Sequence, residues 1–173
     1  KFSIYFELTP PYSLFKEKNY YENLTDDQER YQFLEYNKFK FDGTWYNSIF
    51  GDLVIRTHFE LGFLGTYNKT VGLPPFERFF VGGDGLSGYS IDGREIIALR
   101  GYPNGSLSSD SGDALYNKYN IELRYPVSLN PNSTIYALMF AEAGNSWGNY
   151  NNFKAFELRK SAGLGIRIFM PMF

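Results

Sequence analysis

The chain has 173 residues with no cysteine and one histidine. This excludes a disulfide framework and thiolate-bound zinc. It suits a bacterial envelope protein. No run of about 18 apolar residues occurs, so no transmembrane helix is expected. Positive charge is not in excess: the formal net charge is -2 and no dense basic patch is present, which argues against nucleic-acid binding. With a single histidine and no cysteine, no catalytic role is expected. Gly82-Gly83-Asp84-Gly85 lacks the lysine of a phosphate loop, and Asp110-Ser111-Gly112-Asp113 lacks the spacing and terminal glutamate of a calcium loop. No cofactor is expected. There is no signal peptide, and both ends fall within strand-like sequence, so they read as cuts in a longer protein.

Aromatic residues are abundant, 20% of the chain with 15 Tyr and 17 Phe. They favour strands and, for Tyr and Trp, bilayer interfaces. A mean hydropathy of -0.35 is compatible with a transmembrane barrel, in which lipid-facing and lumen-facing residues alternate.

The period-2 pattern predicts six strands, at about 2–9, 32–47, 53–65, 118–129, 134–147 and 156–170. The third is the clearest. Leu53, Ile55, Thr57, Phe59, Leu61 and Phe63 form one face, with Arg56, His58 and Glu60 on the other. Its length suffices for a tilted strand to cross a bilayer. Short turns are expected at Phe50-Gly51-Asp52 and Asn130-Pro131-Asn132-Ser133, with long loops at 10–31, 66–117 and 148–155. One helical turn is expected in the acidic stretch before Arg30. The asymmetry of short turns and long loops is that of outer-membrane barrels. The expected fold is all-β, an antiparallel part of a transmembrane β-barrel filling residues 1–173. Trp45, Tyr46, Trp147 and Tyr150 are candidates for interfacial girdles.

An ordered series of motifs runs through the second half: Arg78-Phe79-Phe80-Val81-Gly82-Gly83, Leu99-Arg100-Gly101-Tyr102, Ile121-Glu122-Leu123-Arg124, Ala141-Glu142-Ala143-Gly144 and Ser161-Ala162-Gly163-Leu164-Gly165. This series resembles the BamA/TamA superfamily of outer-membrane assembly proteins, most nearly its BamA branch in a Bacteroidota-type form. The resemblance covers about residues 32–173. It implies about six strands from the C-terminal half of a 16-stranded barrel. The POTRA repeats, the first half of the barrel and the last two strands would then lie outside this sequence. It further implies that loop 66–117 folds into the barrel, with Arg100, Gly101 and Tyr102 as its tip and Glu122 and Glu142 as the tip's partners on the wall. Arg78, Phe79, Gly82 and Gly83 become the loop-entry motif. Glu142 departs from the family, where aspartate is usual.

From composition alone, Arg100 reads equally as a solvated loop arginine. The implied function is folding and insertion of β-barrel proteins into the bacterial outer membrane. Expected partners are unfolded outer-membrane clients, the lipid bilayer and, through regions elsewhere in the protein, BAM accessory lipoproteins. The alternatives are a TamA-like or two-partner-secretion transporter, a passive pore, and a soluble β-sandwich adhesin or carbohydrate-binding module. His58 reads as a polar lumen residue.

Overall fold

A computed structural model describes residues 1–16, 20–21, 24, 26–85, 94–130 and 133–170. Six strands form one antiparallel sheet: β1 (Phe2–Leu8), β2 (Tyr36–Phe50), β3 (Leu53–Thr66), β6 (Leu115–Asn130), β7 (Ser133–Trp147) and β8 (Arg159–Phe169). Their order is β1-β2-β3-β6-β7-β8, each paired with its sequence neighbour except where the long loop separates β3 from β6. β2, β3, β6 and β7 run 14–16 residues, more than a bilayer crossing requires. The acidic stretch forms a single helical turn, α1 (Asp27–Arg30).

Register assigns every strand residue to one of two faces, because successive side chains alternate. His58 lies opposite Asn120, and Asn120 opposite Glu142, which lies opposite Ser161. Arg56 lies opposite Glu122 and Glu122 opposite Phe140. On β1 and β2, Tyr5 pairs with Lys40 and Glu7 with Lys38. These residues share the face that the long loop covers. The opposite face carries Phe2, Ile4, Phe6, Ile121, Met139, Leu164, Ile166 and Ile168, all exposed; Leu164 reaches 77%. A second sheet would have to bury that face in a soluble sandwich. None does so among the described residues.

The strands differ from the sequence expectation mainly at their ends. β2 starts at Tyr36 rather than 32, and β6 starts three residues earlier than the pattern suggested, at Leu115. In β6 the pairing passes from Pro126–Tyr136 to Ser128–Ile135, leaving Val127 as a bulge. Proline has no N–H for a ladder, so a bulge beside it costs the sheet little. The middle of the second turn, Pro131 and Asn132, lies outside the described residues. Of the four girdle candidates, Trp45 is exposed on the apolar face and Tyr150 is exposed and stacks on Phe63 at 4.9 Å. Tyr46 lies on the loop face under the Arg124 guanidinium, 5.7 Å from its ring centre. Trp147 is buried, edge-on to Phe153 at 4.9 Å.

The long loop is not structureless. It contains two three-residue strands, β4 (Phe79–Val81) and β5 (Glu95–Ile97), paired in parallel. The core lies between this minisheet and the large one: Phe79, Val81, Ile97 and Leu99 from the loop against Tyr36, Leu64 and Tyr116 from the wall.

Candidate functional site

The entry to the loop is built on backbone geometry. Gly82 and Gly83 adopt φ of 126° and 108°, a region that side chains rarely enter. A Cβ on Gly82 would also stand 2.3 Å from the Pro103 carbonyl oxygen. The turn they allow lets Gly82 N–H donate to Ile97 and Gly83 N–H to Tyr102. The two limbs of the loop are thereby held side by side. Arg78 braces the same region, donating to the Leu73 carbonyl at 3.2 Å and to Ser111 Oγ at 3.1 Å. Asp113 accepts from the Ser109 hydroxyl at 2.9 Å and so closes the calcium-like segment on itself.

Beyond this turn the chain brings Arg100 to Glu122 of β6 and Glu142 of β7. The Glu142 carboxylate takes the Arg100 backbone N–H on one oxygen at 2.8 Å. Its other oxygen accepts from Nε at 2.9 Å and Nη2 at 2.6 Å. Nη2 also donates to Glu122 Oε1 at 2.8 Å. Only 3% and 4% of the two glutamate side chains is exposed, against 23% for Arg100. Burial opposes the charge on Arg100, but the hydrogen bonds and charges of Glu142 and Glu122 outweigh it, and the guanidinium pKa is raised. Gly101 (φ 90°) approaches β8 closely enough that a Cβ would meet that of Ser161 at 3.2 Å. Tyr102 then donates its hydroxyl to the Lys160 carbonyl at 2.9 Å. The tip therefore touches β6, β7 and β8.

Several participants carry no signal of their own in the sequence. The Phe140 ring lies 3.6 Å beneath the Arg100 guanidinium, a cation–π contact. Asn120 donates to Glu142 at 2.9 Å and accepts from Arg56 at 2.8 Å. Arg124 donates to Glu122 at 2.9 Å through Nε, and Arg56 approaches the same carboxylate at 3.8 Å. Strand parity could have placed Phe140, Asn120, Arg56 and Arg124 on this face. It could not have paired them with Arg100.

A second ionic cluster, also unanticipated, joins the loop to β2 with the charges reversed. Lys38 Nζ meets Glu77 and Glu95, each at 2.9 Å, and Lys40 Nζ meets Glu95 at 2.8 Å. Burial of Glu95 raises its pKa, but the hydrogen bonds and charges of Lys40 and Lys38 reverse this, leaving it below the ordinary 4.5. His58 belongs to a third group. Its Nε2 lies 2.6 Å from Asp42 and its Nδ1 3.4 Å from Glu60, which Lys118 engages at 3.1 Å. The donor atoms of Asp42, His58 and Glu60 fall within 4.8 Å of one another. Both imidazole nitrogens face carboxylates, so His58 is a polar residue of the wall.

The family model described as the Omp85 superfamily domain matches residues 28–173. No curated protein matches the chain.

Proposed function

Because the chain belongs to the Omp85 superfamily, whose members are outer-membrane assembly and transport factors rather than enzymes, we propose that it folds and inserts β-barrel proteins into a bacterial outer membrane. The observation that carries this reading is the Arg100 tip seated on Glu122 and Glu142. The resemblance implies a loop of this kind, folded inward with its arginine on the wall in a structural role. The BamA branch and its Bacteroidota-type form belong to this proposal, as do the loop tip Arg100-Gly101-Tyr102 and the entry motif from Arg78 to Gly83. The clients are unfolded outer-membrane proteins. Accessory lipoproteins would engage other parts of the protein.

The chemistry is strand pairing. Backbone groups entering hydrocarbon must be hydrogen-bonded, so an incoming client strand is stabilised by pairing with an available edge. The site described above takes no covalent part in that process. It ties the tip of the loop to the wall.

The test is depletion of the full-length protein in its native host, followed by complementation. Wild type is expected to restore the heat-modifiable, folded forms of many outer-membrane barrels, and Arg100→Glu to fail. Of the two reversals that could rescue it, Glu142→Arg is the better one. Glu122→Arg would add a cation beside Arg56 and Arg124. If depletion instead stopped the export of one secreted cargo while barrels assembled normally, the transporter branch would replace this reading.

A further inference from the structure

We propose that Lys38 and Lys40 are positioning residues that hold the root of the long loop on β2 independently of the Arg100 tip. The tip can then leave the wall while the root stays seated. This goes beyond the assembly activity and does not depend on it.

The two attachments share no residue and sit on different strands. The tip rests on β6, β7 and β8, the root on β2. Their polarity is opposite. At the tip a loop cation meets wall carboxylates, and at the root wall cations meet loop carboxylates. Neither set of groups can take the place of the other without like charges facing each other.

Lys38 is placed to act on the root as a unit. It is 4% exposed and holds both limbs of the loop, Glu77 ahead of β4 and Glu95 on β5. Its ammonium also lies 5.0 Å from the centre of the Phe79 ring. Around it, Phe79, Val81, Ile97 and Leu99 are buried against the wall. A buried lysine with two carboxylates loses far more on removal of its partners than an exposed pair would. Lys40 adds a wetter contact on the rim of a cavity of about 330 Å³ that Glu95 and Ile97 also line.

The tip is built differently. Arg100 and Tyr102 are half-buried, and Gly101 is exposed at φ 90°. Arg100 holds the wall through polar contacts and one ring, while Tyr102 also packs on the edge of the apolar core and accepts from Gly83 N–H. Loss of the Arg100 pairs therefore removes the wall contacts of the tip and leaves the buried core residues of the root in place.

The experiment is hydrogen exchange read by mass spectrometry on the full-length protein in lipid vesicles. Reporters for the tip are the amides of Arg100 and Tyr102, bonded to Glu142 and Leu99. Reporters for the root are those of Phe79 and Gly82, bonded to Asp113 and Ile97. Arg100→Gln should speed exchange at the tip by tenfold or more and leave Phe79 and Gly82 within twofold of wild type. The double variant Glu77→Gln, Glu95→Gln should speed exchange at the root by tenfold or more. Parallel acceleration of all four amides by Arg100→Gln would overturn the proposal, as would unchanged root protection in the double variant. If the double variant loses its heat-modifiable folded form, Lys40→Gln serves in its place. It should raise exchange at Gly82 several-fold, and no rise would equally overturn the idea.

Discussion

At the scale of single residues, the two glutamates under Arg100 are not equivalent. Among the described residues Glu142 pairs with Arg100 and takes Asn120 as an additional donor, whereas Glu122 also serves Arg124 and Arg56. Glu122→Gln leaves three guanidinium groups around an uncharged amide, and we expect it to cost about 3–5 kcal/mol. Glu142→Gln leaves Arg100 on Glu122 and should cost less, about 1–3 kcal/mol. Urea unfolding of the refolded protein in vesicles would measure both, and a larger loss for Glu142→Gln would contradict the sharing described here. The folded-state pKa of Glu95 is depressed, so its contribution is fully present above the ordinary 4.5 and is lost as pH falls through the lower folded value. Protection of the Gly82 amide is expected to hold from neutrality to about that pH and decline below it. Arg100, Glu122 and Glu142 were legible in the sequence because motif order singled them out. Lys38, Lys40, Glu77 and Glu95 were not, since which lysine meets which glutamate depends on the path of a long loop, and charges at such separations have no local signature.

At the scale of elements, alternation located all six strands of the large sheet, and parity gave their faces except in β7, where Ile135 to Phe140 are apolar on both sides and pattern alone fixes no orientation. β4 and β5 went unseen because three residues carry no measurable period. Their pairing is also parallel, and depends on a turn and a return that no short window contains. The turn at Gly82 and Gly83 is where this arrangement is most vulnerable. Gly82→Ala would force an L side chain to φ 126° and into the Pro103 carbonyl. The expected result is loss of the β4–β5 pairing, seen as rapid cleavage within residues 66–117 by an added protease while the barrel itself remains folded. An uncleaved loop in this variant would mean that the backbone there can be reshaped at little cost.

For the whole molecule, the division between faces is the governing fact. The loop face is polar and covered, and the opposite face is apolar with nothing described upon it. A charge in the middle of the apolar face should then carry the penalty of hydrocarbon burial. Leu164→Arg is expected to destabilise the protein in vesicles by about 2–4 kcal/mol, measured as a shift of the unfolding midpoint. A cost near zero would place that face in water. The attachments of the loop also set a dimension. From β2 to β8 the wall comprises four strand spacings, about 19 Å. The chain from Glu95 on the β2 side to Tyr102 on the β8 side is eight residues, which extend to at most about 26–29 Å. The loop is thus a gauge cut to the width of this arc. Two strands inserted between its anchors would widen the arc to about 29 Å, the full backbone reach of the loop, so a wall two strands wider in this sector would leave the loop no slack.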